Sequence, residues 1–282
     1  MMMQTVTMSA SSGFFLRGVL HHPPAAETLQ REAAILLTGL VGTRVGPHRM
    51  LFDLAERLAA SGIPALRCDL TGGGYSDGEA ASTRFDTLVH DALDLIAYLA
   101  ETLGAESFLV AGICRGARVA LAAALADRRV RHLALLSCPR FREESLEGKA
   151  ARRRRSHLRT YLRKLASFGW LPRLLRGDLN FRLIGKALID PIDRDTLNRF
   201  DALDSGVYDV GHLAARTLFL YGENDPDLED SIAYYRERLG REPASHGDFH
   251  VIPEADAGFY AQRWHQAVLE SFEEWWEGRP RE

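Results

Sequence analysis

Cys114 lies at the tip of Gly112-Ile-Cys-Arg-Gly116, where the apolar run Phe108 to Ile113 gives way to an alanine-rich stretch. The spacing predicts a strand, a tight turn and a helix. Glycines at 112 and 116 leave room for the strained backbone of a nucleophile elbow, which lifts one side chain above a sheet edge toward a bound substrate. A thiol at a helix N-terminus beside Arg115 sits in a positive field that favours thiolate, so Cys114 is the expected nucleophile. The alternative is a small buried apolar residue in a strand-to-helix turn.

A thiolate attacking a carbonyl also needs donors for the developing oxyanion, an acid and a base. Four further segments bear on this. They are Ile35-Leu-Leu-Thr-Gly-Leu40, Leu66-Arg-Cys-Asp-Leu-Thr-Gly-Gly-Gly-Tyr-Ser76, Leu218-Phe-Leu-Tyr-Gly-Glu-Asn-Asp225 and Val251-Ile-Pro-Glu-Ala-Asp-Ala257. In this order and spacing, together with the elbow, the chain resembles the α/β-hydrolase superfamily over nearly its whole length outside one inserted segment. The stretch Arg44-Val-Gly-Pro-His-Arg49, followed by Asp69 and a Cys elbow, also resembles hydrolases associated with bacterial exopolysaccharide and exosortase systems.

The resemblance implies a mostly parallel sheet, a Cys114 nucleophile, an oxyanion hole from the backbone N–H groups of Leu40 and Arg115, and Asp225 as the triad acid. A turn-capping Asp before Pro226 is the structural alternative for Asp225. Asp69 and Ser76 fall where the family braces the elbow. Where the family places its catalytic histidine, this chain has Ala257. Acylation of an ionised thiol can proceed without a base, whereas deacylation by water requires one. His48, after the oxyanion-hole strand, is the candidate replacement, with a helix-start residue as the alternative. His265 falls in the last helix about two turns past Ala257, and His250 and His246 belong in or before the last strand, below the catalytic edge.

The elements that must position these residues alternate between strand and helix, the pattern of a parallel sheet covered on both faces. Strands are expected at Gln4 to Met8, Phe14 to Leu20, Ala33 to Thr38, Ile63 to Asp69, through the elbow run, Val130 to Ser137, Thr217 to Tyr221 and Phe249 to Ile252. Helices are expected at Met50 to Ser61, Phe85 to Leu103, Arg115 to Ala126, near Asp230 to Leu239, and from about Tyr260 to Trp276. Residues 1–138 and 210–282 would form the core. Residues 139–209 break the alternation and read as a helical cap inserted over the strand C-termini, where ligands bind in open α/β sheets.

Between Lys149 and Lys186 there are twelve Lys or Arg and one acid, Asp178, a balance of 12 − 1 = +11 in a chain whose net charge is −3. Such a segment attracts an anionic partner. Leu158, Tyr161, Leu162, Leu165, Phe168, Trp170 and Leu171 interleave with the charges, so Tyr161 and Trp170 are expected to line an acyl pocket, with Arg44 as a further substrate contact. The expected partner is a small acyl ester or thioester, free or carried on coenzyme A or an acidic carrier protein. Peripheral contact of the basic cap with a membrane fits the same chemistry.

The chain-wide charge gives no electrostatic case for nucleic-acid binding. Cys68, Cys114 and Cys138 are far apart and form no Cys-x-x-Cys pair, so neither a disulfide framework, a zinc site nor another cofactor is expected. The N-terminal residues lack a signal-peptide pattern, and no run spans a membrane, so a cytoplasmic enzyme is the expectation. Three functions are open: hydrolysis of an ester or thioester, non-hydrolytic acyl transfer in a biosynthetic pathway, and ligand or partner binding on a catalytically degenerate scaffold.

Overall fold

A computed structural model describes residues 2–24, 31–39, 42–141, 208–239 and 247–279. The chain divides into one unit made of Met1–Phe141 with Gly206–Glu282 and another of Arg142–Ser205. The expected cap, with Tyr161 and Trp170, lies outside the described residues except at its two ends, as does Leu40. The first end, Phe141, and the far end, Tyr208, have ring centroids 4.8 Å apart, and both pack on Phe85.

The described core is an eight-stranded sheet in the order β1-β2-β4-β3-β5-β6-β7-β8. The strands are β1 (Met2–Ser9), β2 (Phe15–His22), β3 (Glu32–Leu37), β4 (Ala65–Asp69), β5 (Ser107–Ile113), β6 (Val130–Leu136), β7 (Arg216–Gly222) and β8 (Gly247–Ile252). The β1/β2 and β2/β4 pairs are antiparallel, and the remaining pairs are parallel. The helices are α1 (Met50–Ala60), α2 (Phe85–Leu103), α3 (Arg115–Ala126), α4 (Leu228–Arg238) and α5 (Gln262–Glu277). This is the α/β-hydrolase fold.

Alternation of side chains along each strand builds the two cores. Ala33, Ile35, Leu37, Phe108 and Val110 join one face with α2 and α3, while Ala34, Leu36, Leu109, Ala111 and Ile113 join the other with α1 and α5. The central strands are apolar on both faces because helices cover both. Helix α3 is buried from Arg115 through Ala124, and its alanines let it lie close on the sheet.

Expected and observed elements differ only at their ends. The first two strands are longer than expected because β1 and β2 pair over their full eight residues, from Met2 with His22 to Ser9 with Phe15. Strand β8 starts at Gly247, two residues early, because Thr217 and Leu218 of β7 pair with Gly247 and Asp248 despite their poor strand propensity.

Candidate active site

The elbow forms at the end of β5. Cys114 has φ 54° and ψ −115°, a conformation sparsely populated by side-chain-bearing residues and held only where the surroundings fix it. Close packing explains the flanking glycines. A Cβ on Gly112 would strike the backbone of Gly116, and one on Gly116 would strike the carbonyl oxygen of Thr38 and lie 2.7 Å from that of Leu37. The β3 end and the first turn of α3 are thus pressed against each other. Gly39 completes this approach, with its Cβ position 3.5 Å from Cβ of Cys114.

The thiol of Cys114 is open to solvent. The backbone N–H of Arg115 lies beside the thiol and favours its charged form. The expected thiolate-favouring field does not prevail. The thiol lies deep enough among protein atoms that burial pushes its pKa up; the Arg115 N–H opposes this, Asp225 and Asp227 reinforce it, and Arg118 opposes it again. A helix N-terminus lowers a thiol pKa by a modest amount, and here desolvation with two carboxylates outweighs it. The Arg115 side chain is buried and turns toward the carbonyl of Thr83, 3.4 Å away.

Main-chain hydrogen bonds carry the site across the C-terminal edge of the sheet. The N–H of Cys114 donates to Leu136 O at 2.8 Å, and the N–H of Ser137 donates to Leu220 O at 2.7 Å. The N–H of Asp225 then turns back to Gly222 O at 3.0 Å. On the far side, the N–H groups of Glu223 and Asn224 donate to Ile252 O and Ala255 O at 3.0 and 2.8 Å. Cys114, Ser137, Asp225 and the Ala257 loop are therefore set in order along one edge. All six non-glycine residues with positive φ among the described residues (His48, Arg49, Cys114, Ser137, Glu254 and Phe259) follow strands at this edge.

Asp225 is buried, and its Oδ1 accepts from the N–H of Asp227 at 2.9 Å. Burial raises its pKa from 3.8 to about 6; the Asp227 N–H and the Ser137 hydroxyl pull it down, and the Asp227 and Asp256 carboxylates push it up. The Ser137 hydroxyl acts on Asp225 at longer range, without full hydrogen-bond geometry. Sequence reasoning missed Ser137. Its signal lies in the β6/β7 register, which brings the end of β6 beside the β7 loop.

The loop after β8 folds onto β7 as expected, with Asn224 Nδ2 donating to Glu254 O at 2.8 Å. Ala257 therefore occupies the loop in which the resemblance places a histidine, and its half-buried methyl group has no proton-transfer capacity. His48, with φ 46°, stacks edge-on against Tyr260 of the same loop at 5.6 Å. It also lines a surface cavity of about 610 Å³ with Asp53, Gln262 and His265. The structure thus brings His48 to the Ala257 loop and shows no contact between it and Cys114. His265 faces α1, with Nε2 3.3 Å from Asp53 Oδ2, and His250 pairs within the sheet opposite Leu220.

Arg44 is engaged with Asp69. Its Nη1 and backbone N–H both reach the fully buried Asp69 carboxylate at 2.5 Å, and its guanidinium covers the Tyr75 ring at 4.9 Å. Asp69 also accepts from the N–H of Tyr75, and the Ser76 hydroxyl donates to Asp69 O. This knot braces the loop after β4; Asp69 and Ser76 are structural as expected, but these contacts hold their own loop and Arg44 rather than the elbow, and they give Arg44 a structural contact that the sequence did not disclose.

The comparisons agree with this architecture. The family described as "Serine aminopeptidase, S33" matches residues 46–180. No curated protein matches the sequence. Among solved structures, the α/β hydrolase GrgF from Penicillium sp. sh18 superposes with TM-score 0.65 at 18% identity, covering 98% of this chain and 97% of that one. Est1E from Butyrivibrio proteoclasticus, in a structure with ferulic acid bound, gives 0.64 at 17% identity, over 95% and 98%. A thermophilic esterase from Thermogutta terrifontis, with malate bound, gives 0.60 at 20% identity, over 97% and 98%. At these identities the likeness establishes the α/β-hydrolase fold. No helix of the described residues is long and apolar enough to cross a membrane.

Proposed function

We propose that this protein processes an ester or thioester through an acyl-enzyme on Cys114. The observation that carries the reading is the strained elbow itself, which presents an accessible thiol at the start of α3 beside the Arg115 N–H. Cysteine strain of this kind costs about 1–3 kcal/mol and persists where it serves presentation of the side chain. The thiol sulfur attacks the carbonyl carbon, the oxyanion is held by the Arg115 N–H and the loop after β3, and the C–O or C–S bond to the leaving group breaks as the proton of the Cys114 thiol passes to the departing alcohol or thiol. The fold is shared with the Thermogutta terrifontis esterase, which supports the ester class.

The basic segment Lys149 to Lys186 favours an anionic substrate carrier, such as coenzyme A or an acidic carrier protein, with Tyr161 and Trp170 against the acyl chain. Ala257 favours a second outcome for the same intermediate, transfer to an acceptor other than water, and the resemblance to exopolysaccharide-associated hydrolases fits such a biosynthetic role. Turnover of a panel of p-nitrophenyl esters and acyl-coenzyme A thioesters by wild type and Cys114→Ala tests the reading, with and without alcohol and amine acceptors. Loss of turnover in the variant supports it. Equal turnover in both proteins refutes it, and binding without turnover of any acyl compound assigns the chain to ligand binding.

A further inference from the structure

We propose that Asp225 is itself the base of this site, taking a proton from the nucleophile that discharges the acyl group from Cys114, rather than orienting a histidine. The inference rests on the Cys114 acyl-enzyme reading. Three observations carry it. Asp225 stands on the same sheet edge as Cys114, two strands across with the end of β6 between them, and the Cys114–Leu136 and Ser137–Leu220 main-chain hydrogen bonds fix these positions. Its charge is felt at the thiol, where it adds to the upward push that burial exerts first. Among the described residues no cation or imidazole pairs with it, and the loop position that a histidine would fill holds the methyl group of Ala257.

The groups facing Asp225 set its proton affinity. Asp227 lies on its own loop and Asp256 on the loop after β8, and both push it up; the Asp227 N–H and the Ser137 hydroxyl at the end of β6 pull it down. Cys114 on the elbow, Tyr221 at the end of β7 and Cys138 after β6 complete its titratable surroundings. The outcome, about 6, suits a carboxylate that is ionised at neutral pH and still basic enough to accept a proton.

The discharge step balances as follows. Water oxygen bonds to the acyl carbon while one of its protons passes to a carboxylate oxygen of Asp225. The tetrahedral oxyanion then collapses, the C–S bond breaks with its electron pair going to sulfur, and the carboxylic acid departs. Cys114 leaves as thiolate and recovers a proton from Asp225. An alcohol acceptor follows the same course and yields an ester.

The test is acyl-enzyme lifetime. Wild type, Asp225→Asn, Ser137→Ala and His48→Gln are acetylated with p-nitrophenyl acetate, desalted, and moved to buffers from pH 5 to 8.5, and the adduct is followed by intact mass. Expected is a wild-type decay rate that climbs through pH 6 and then levels. The Asp225→Asn adduct should persist roughly a hundredfold longer without that step. Ser137→Ala should move the step to higher pH, a readout available even if Asp225→Asn folds poorly, and His48→Gln should keep it. Asp225→Asn decaying as wild type does, a step lost with His48→Gln, or an unmoved step in Ser137→Ala overturns the assignment. Absence of any wild-type adduct instead overturns the acyl-enzyme reading beneath it.

Discussion

Replacing Asp225 with asparagine should stabilise the protein, and the gain should depend on pH. Burial raises the carboxyl pKa from 3.8 to about 6. That gap corresponds to about 3 kcal/mol of native-state cost once the group is ionised. The sign follows from proton binding. Between pH 4 and pH 6 the native state holds the proton more tightly than the unfolded chain, so wild-type stability is greatest below pH 4 and is lost as pH rises through 6. Asparagine is neutral throughout and still presents an oxygen to the Asp227 N–H, which approaches Asp225 Oδ1 at 2.9 Å. The stronger bond to the charged carboxylate is already contained in the value of about 6, so nothing further is subtracted for it. The net expectation is near-equal stability at pH 4 and a gain of about 3 kcal/mol for Asp225→Asn at pH 8. Urea unfolding of both proteins at several pH values measures it. A stability difference that stays flat with pH, or that turns against the variant at pH 8, would refute the reasoning.

Other substitutions probe the frame of the site. Cys114→Gly should raise stability by about 1 kcal/mol, since glycine accepts φ 54° and ψ −115° without strain, while abolishing adduct formation; urea unfolding and ester labelling check the two halves. Arg44→Met should cost about 3 kcal/mol by leaving the buried Asp69 carboxylate without its cation, read as a lower urea midpoint. Ala257→His should shorten the lifetime of the acyl-enzyme by about tenfold or more by returning an imidazole to the loop beside β7, read by intact mass at pH 7.5.

Much of the frame was legible because the signals are local. Glycines at 112 and 116, the alanine-rich α3 and the 3.6-residue period of α2 predict the strand, turn and helices where they occur, and the order of motifs gives the fold. Asp225 and Ala257 were placed by the same order. What escaped the sequence depends on register and on summed electrostatics. Ser137 reaches Asp225 only because β6 pairs with β7 in a particular alignment. Arg44 meets Asp69 across 25 residues of chain. The Cys114 thiol is a balance of burial against the Arg115 N–H, with carboxylates from another loop deciding the direction, and neighbouring residues alone suggested the opposite.

The most direct measurement is intact mass, followed by peptide mapping, after wild type and Cys114→Ala are mixed with an activated acyl ester. The account predicts one acyl group on wild type, located on the peptide that contains Cys114, and none on the variant. Equal labelling of both proteins, or a wild-type label on Cys68 or Cys138, would contradict it.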